Sequence, residues 1–289
     1  MKKYFIRFGK VLGILLALVL VFYAWVEISF YRKAHASYNF PISPGVRVDS
    51  SLIERGAHLV QIKGCTDCHG GDLSGRIIED NFPVGLLVAP NLTPSESGLA
   101  HYTLKNWVMA LQHGIDPTGR PLKVMPSFET SRLTLEDMSA IISYVNSVPP
   151  VENNLPETRL GPVIKVMTKL SDIPMFSVDL IDHEKPLESK PEFENSVELG
   201  KYLSVPCTSC HRPDLKGGEA FVPGGLPAPS IASDGRVGTW SVDEFIKTLK
   251  TGVRPDGHKL DSTQMPWPMT AKYTEEELSA MYQYFRSVK

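Results

Sequence analysis

The sequence predicts an all-α protein, with two tandem helical units behind one N-terminal membrane-spanning helix. Three observations carry that expectation. A long apolar run lies close to the N-terminus. The remainder repeats itself with a period near 140 residues. Within each repeat, apolar residues recur at the 3–4 spacing of amphipathic helices, with little of the alternation that marks strands.

The apolar run comes first. Val11 to Val26 carries no charge, and the apolar character continues to Phe30. The stretch from Val11 to Phe30 matches the roughly 20 residues that cross a bilayer as a helix. Lys2, Lys3, Arg7 and Lys10 precede it, which leaves the N-terminus on the cytoplasmic side. Tyr23, Trp25, Phe30 and Tyr31 would form an aromatic belt at the far end. A cleaved signal peptide competes with this reading, because "AHA" at 34–36 offers a small-x-small site. That site lies well past the apolar core, behind Arg32 and Lys33, and the run exceeds the ~7–15 residues of an h-region. An uncleaved anchor over residues 1–34 is the expectation, in contact with the lipid bilayer. Six basic residues against Glu27 give this segment a charge of +5, so the total of -2 leaves -7 on the exported part. A mildly acidic soluble portion excludes a nucleic-acid partner, which calls for a basic footprint.

The repeat follows. "ERGAHLVQIKGCTDCHGGDLSGR" at 54–76 answers to "ELGKYLSVPCTSCHRPDLKGG" at 198–218. "GIDPTGRPLKVMP" at 114–126 answers to "GVRPDGHKLDSTQMP" at 252–266, and "LTLEDMSAIISYVNSV" at 133–148 to "YTEEELSAMYQYFRSV" at 273–288. Two domains are expected, at 48–150 and 194–289. A short helix precedes each cysteine pair. A middle helix runs from near Thr103 to Gly114 in the first copy and from Ser241 to Gly252 in the second; glycine accepts the left-handed backbone of a C-cap. The closing helix of the first copy has Leu135, Met138, Ile141, Ile142 and Val145 on one face. That of the second opens on a Thr274–Glu277 capping box. Residues 151–193 form a proline-rich connector, expected to be ordered, with one short amphipathic helix over Val163 to Leu170. Units of this size with such long loops have small cores, so a cofactor is expected to fill each middle.

The cysteines name the cofactor. All four lie in two Cys-x-x-Cys-His motifs, Cys65, Cys68, His69 and Cys207, Cys210, His211. Zinc sites want a second pair about 12–20 residues away, a dithiol redox motif wants a βαβ setting, and a disulfide does not explain the histidine. Covalent haem attachment explains all of it: the thiols add to the haem vinyl groups and the adjacent imidazole becomes an iron ligand. Two covalently bound haem c groups are expected. The repeat selects the sixth ligands: Met125 in "KVMPSF" and Met265 in "TQMPWP", each before a proline and ahead of the closing helix. Met269 is near enough to compete with Met265, whereas Met109 and Met138 fall on apolar helix faces that suit core packing. No residue is expected to be catalytic.

Beside these motifs, "APNLTPSESGL" (89–99), "LIDH" (180–183), "TWSVDEFIKTLKTGVRPDGHKL" (239–260) and "MPW" (265–267) carry a resemblance. The chain resembles the bacterial di- and multi-haem cytochromes c, most of all the cytochrome subunits of alcohol, aldehyde and gluconate dehydrogenases. The resemblance covers most of residues 50–289. It implies two class I cytochrome c domains, each with His/Met-ligated haem, on the periplasmic side of the cytoplasmic membrane of a bacterium. It also implies redox partners: a dehydrogenase or respiratory complex as donor, an oxidase or soluble cytochrome as acceptor. Departures are visible. The second copy has "APSIASD" in place of the Asn-Leu-Thr-Pro loop, Tyr102 and Trp107 answer to Trp240 and Phe245, and such cytochromes often carry three haems rather than two.

Smaller features complete the expectation. Gly56 with Tyr144, and Gly200 with Tyr284, look like the crossing of first and last helices in class I cytochromes. Arg120 and His258 sit in matching loops, where solvated charge is commoner than a haem contact. His183 reads as a satisfied linker histidine, and His35, His58, His101 and His113 as lacking partners at ligand spacing. The expected function is one-electron relay by a subunit that is not itself an enzyme. The rival classes are a haem enzyme of dihaem peroxidase type and a haem-based sensor, for which no output domain is visible.

Overall fold

The computed structural model describes residues 2–170, 175–189, 196–220 and 225–289. The apolar run is one helix, α1 (Lys2–Ala34), and its side chains are exposed along nearly the whole length. Only its last turns are covered: Val26, Phe30 and Ala34 are buried.

The first copy contains α2 (Ile53–Ile62), α3 (Cys65–His69), α4 (Leu104–His113), α5 (Ser127–Thr130) and α6 (Leu135–Ser147). Its boundaries follow from capping chemistry. Thr103 caps α4 by accepting from Asn106 N, and Thr134 caps α6 by accepting from Asp137 N. Gly114 ends α4 at φ 67°, the left-handed cap that the sequence suggests. Helix α2 lies across α6, and Gly56 makes the approach possible: a Cβ there would stand 2.0 Å from Ala140 O and 2.7 Å from Tyr144 Cβ. The expected small-residue crossing is present.

The all-α expectation needs one correction. Among the described residues, β1 (Arg76–Asn81) pairs antiparallel with β2 (Gly85–Ala89), and β2 with β3 (Arg159–Leu160) from the connector. Every residue of β1 is exposed, so no buried alternation exists for sequence reading to detect. The connector continues as α7 (Pro162–Leu170), one residue longer than expected at its start. The expectation of an ordered connector reaches beyond the described residues at 171–174 and 190–193.

The second copy holds α8 (Ser196–Leu203), α9 (Thr208–His211), α10 (Val242–Thr251), α11 (Trp267–Thr270) and α12 (Glu275–Ser287). Both Ser241–Glu244 and Thr274–Glu277 form complete capping boxes, and Gly252 ends α10 at φ 69°. Helix α8 crosses α12 over Gly200, where a Cβ would meet Ala280 O at 2.0 Å.

The two copies do not keep separate cores. One apolar cluster runs from Leu59, Met138 and Ile142 of the first to Leu203, Met281 and Phe285 of the second. A smaller cluster joins the end of α1 to α4 and the connector through Phe30, Met109, Ile115 and Phe176.

Candidate haem sites

In the first copy, Cys65, Cys68, His69 and Met125 line a single cleft. Helix α3 starts from Gly64 at φ 75° and carries the motif as one turn, which puts the thiols and the imidazole on neighbouring positions. The backbone then turns through Gly70 (φ 84°) and Leu73 (φ 62°). His69 Nδ1 donates to Pro90 O at 2.9 Å. That bond fixes the tautomer, because a carbonyl only accepts, and leaves Nε2 with a free lone pair for a metal. Burial holds the imidazole below its ordinary pKa, in the neutral form that ligation needs. The Cys65 thiol is pushed up to about 12 by burial and the nearby Cys68. Such a thiol stays protonated at neutral pH.

The second copy repeats the construction. His211 Nδ1 donates to Pro229 O at 2.8 Å, burial lowers its pKa, and Leu215 (φ 59°) takes the place of Leu73. The Cys207 thiol is pushed up to about 12, chiefly by burial and then by Glu129. Cys207 and Met265 both pack against the common core. The sulfur of Met269 is 3.3 Å from the position of a Cβ on Gly64 in the first copy.

Haem fits these sites on two grounds besides the motifs. The donor set in each copy is one neutral imidazole and one thioether. Each copy also has a buried indole N–H without a partner among the described residues, Trp107 Nε1 and Trp267 Nε1. Buried orphan donors are rare, and haem brings two carboxylates that can accept from them.

The copies cross over one another at the sites, a feature that motif spacing does not contain. Tyr202, Val205 and Pro206 of the second copy line the cleft of the first. Glu129, on the short helix after Met125, accepts from Ser209 Oγ in the other attachment motif. Met269, on the equivalent helix after Met265, touches Gly64 beside the first motif. Tyr273 Oη, fully buried, donates to Ile62 O at 2.9 Å and lies 3.2 Å from Leu203 O. His58 Nε2 donates to Glu277 at 2.8 Å, while Tyr202 Oη donates to Asp137 at 2.6 Å. Aligning the repeats pairs Glu129 with Met269, His58 with Tyr202, and Asp137 with Glu277. The contacts therefore obey an approximate two-fold relation. The equivalences are in the sequence, but nothing in it says that the copies face each other.

Comparison with known proteins agrees with this construction. The "Cytochrome c" family matches residues 197–289, and the family described as "Cytochrome C oxidase, cbb3-type, subunit III" matches residues 51–145. The chain carries two cytochrome c domains. With one Cys-x-x-Cys-His motif in each, they imply two haem c groups. The chain is 28% identical over 270 residues to the cytochrome c subunit of the alcohol dehydrogenase (quinone) of Gluconacetobacter polyoxogenes, covering 83% of this chain and 56% of that protein. It is 27% identical over 260 residues to the fructose dehydrogenase cytochrome subunit of Gluconobacter japonicus, with 82% and 52% covered. A shorter match, 34% over 102 residues, joins it to the gluconate 2-dehydrogenase cytochrome c subunit of Pantoea cypripedii, with 31% and 22% covered. The chain thus spans about half the length of the first two of these relatives.

Among the remaining candidates, Arg120 and His258 are both exposed in their turns. His35 Nδ1 lies 2.9 Å from Tyr31 O. His101 is exposed and meets the Tyr102 ring edge-on. His183 is a satisfied connector residue, as expected, but its partner is His113. His113 and His58, which lack partners at ligand spacing, each have a hydrogen-bond partner in the fold.

Proposed function

We propose that this protein is a membrane-anchored dihaem cytochrome c that passes single electrons along the periplasmic face of a bacterial cytoplasmic membrane. Its donor would be a dehydrogenase or respiratory complex, and its acceptor an oxidase or soluble cytochrome. The domains are taken as 48–150 and 194–289, joined by 151–193, with Cys65, Cys68, Cys207 and Cys210 attaching the haems. His69 and Met125 would hold one iron, His211 and Met265 the other. Haem c, when bound, supplies a one-electron couple, and a thioether ligand favours its reduced form.

The observation that carries the reading is the crossed packing of the attachment motifs. Each lies against the short helix that follows the other copy's ligand methionine, inside one continuous apolar core. Such an arrangement holds the two motifs in a fixed relation, which suits relay. The relatives named above are cytochrome subunits of dehydrogenases, which supports the choice of donor.

The anchor reading has support of its own. Phe30 packs on Phe176 with ring centroids 5.3 Å apart, Lys165 bonds Glu27 at 2.9 Å, and Lys33 bonds Asp179. Cleavage after Ala36 would strip these partners from the connector.

Two tests apply. After export with a c-type maturation system, two haems should remain on the chain through denaturing electrophoresis. Replacing Cys65 and Cys68 with Ala should leave one. No covalent haem, or bound zinc in its place, would end the proposal. Membrane-bound protein should begin at Met1; a mature N-terminus at Ser37 would replace the anchor with a signal peptide.

A further inference from the structure

The connector touches the first ligand loop directly. Val124 N donates to Met175 O at 2.9 Å, and Ser177 Oγ donates to Met125 O at 2.5 Å. One residue further, Val178 O accepts from His183 Nε2 at 2.8 Å. His113, at the end of α4, donates from its own Nε2 to Pro41 O at 2.9 Å. The two remaining nitrogens, His113 Nδ1 and His183 Nδ1, lie 3.0 Å apart.

These four nitrogens set a proton count. Carbonyl oxygens only accept, so each Nε2 carries a hydrogen. A neutral imidazole has one N–H in all. Two neutral rings would therefore aim bare lone pairs at each other across 3.0 Å. The contact is a hydrogen bond only if one more proton sits between them. The surroundings hold the rings in place. His113 has no exposed surface, and the Phe40 ring stacks on His183 with centroids 3.6 Å apart.

We infer that His113 and His183 share a single proton and that this bridged pair positions the Met125 loop through Val178 and Ser177. The inference rests on Met125 being the sixth ligand of the first haem.

A second proton is resisted: burial, and then the charge of His183, push His113 down to about 4. Ionisable groups on the packed elements are engaged elsewhere or lie away from the rings. Asp179 and Tyr38 both bond Lys33, Lys185 pairs with Glu188, and Asp182 accepts from Glu184 N. Asp182 and Glu184, which flank His183, are both exposed. On α4, Lys105 sits two turns away from His113.

The sign of the pH dependence follows. The bridge makes the folded pair hold its first proton more firmly than a free histidine, whose pKa is about 6.5. The contribution of that first proton is lost as pH rises through the higher folded pKa, while the resisted second proton works against the fold as pH falls below about 6.5. Once the proton leaves, one ring must move its hydrogen to Nδ1 and release either Val178 or Pro41, or the rings must part.

The test follows the iron–methionine charge-transfer band of the oxidised full-length holoprotein in detergent, from about pH 5 to about pH 9. With Met265→Ala, only Met125 contributes, and the band should fall by at least half in a one-proton step on the alkaline side of about 6.5. His113→Asn, added to that background, offers His183 Nδ1 a neutral amide donor and keeps the Val178 bond, so its band should stay flat. His183→Ala should weaken the band at every pH. With Met125→Ala, the Met265 band should show no such step. Side-chain 15N spectra of histidine-labelled wild type should show three protonated nitrogens on the pair at neutral pH, whatever the variants do. A flat Met125 band, or two neutral rings in the 15N spectra, overturns the inference. A band absent at every pH in Met265→Ala overturns Met125 ligation instead.

Discussion

The loops that carry Met125 and Met265 begin alike, at Gly119 and at Gly257, and reach their methionines by different routes. In the first copy two residues separate Leu122 from Met125, and Val124 has to adopt φ 68° to make the turn. A β-branched residue is costly there, and Met175 and Ser177 of the connector hold the strained loop from outside. In the second copy four residues separate Leu260 from Met265. Asp261 organises them, accepting from Thr263 N through its carboxylate at 2.8 Å and from Met265 N through its carbonyl at 2.9 Å. The connector braces the first loop, whereas Asp261 turns the second and Leu226 N donates to its Gln264 at 3.3 Å. Among the described residues, the connector's hydrogen bonds to these two loops go to the shorter one, that of Met125.

Where the copies agree, the comparison predicts equal damage. Gly56 and Gly200 face backbone oxygens at the same 2.0 Å from an added Cβ, and a backbone oxygen cannot swing aside. Gly56→Val and Gly200→Val should each destabilise the protein by roughly 3 kcal/mol or more, at the upper end of overpacking costs. Denaturant midpoints of the solubilised holoprotein measure this. A Gly56 variant with near wild-type stability would show that the α2–α6 crossing is softer than its counterpart.

Where the copies differ in backbone chemistry, the comparison predicts opposite signs. After each histidine the chain passes through one unusual conformation, φ 84° and ψ 156° at Gly70, φ 67° and ψ 160° at Arg212. That region is essentially restricted to glycine, and another residue held in it costs of order 1–3 kcal/mol. Arg212→Gly should therefore stabilise the second domain by about 1 kcal/mol, after subtraction of the extra unfolded-state entropy of glycine. Gly70→Arg should destabilise the first by about 2 kcal/mol. Hydrogen exchange in α9 and α3 would assign each change to its domain.

Much of this molecule is legible in the sequence because haem attachment is written locally. Cys65, Cys68 and His69 lie within five residues, the caps at Thr274–Glu277 and Ser241–Glu244 are four-residue patterns, and Gly114 and Gly252 mark helix ends directly. The repeat adds what locality lacks, since it sets Met125 and Met265, out of nine methionines, at equivalent places in the two copies. Other features escape for physical reasons. Strand β1 is exposed on both faces and has no apolar period. Tyr202, Tyr273 and Glu129 act across the domain interface, and pairing at that range depends on docking geometry. His113 and His183 are 70 residues apart, and neither sits at a ligand spacing.

The smallest predicted effect tests the two-fold relation at its edge. Tyr202 Oη bonds Asp137, which is almost fully buried and also takes Arg55 at 2.5 Å; the equivalent His58 bonds Glu277 in a partly exposed setting. Tyr202→Phe should cost about 1–2 kcal/mol, as a hydrogen bond to a buried charged group does. His58→Ala should cost about 0.5 kcal/mol, the scale of an exposed pair. The two should also differ in acid. Burial raises the pKa of Glu277, but the His58 hydrogen bond and the Thr274 N–H outweigh it and hold the carboxyl below its usual range. A depressed carboxylate contributes stability above its unfolded pKa of about 4.3, and loses it as pH falls through the folded value. The penalty of His58→Ala should therefore be present at neutral pH and vanish below about pH 4, where wild type and variant converge. Denaturation of both proteins at a series of pH values reads this directly. A His58→Ala penalty that persists in acid would mean that the imidazole packs between the domains instead of pairing with Glu277.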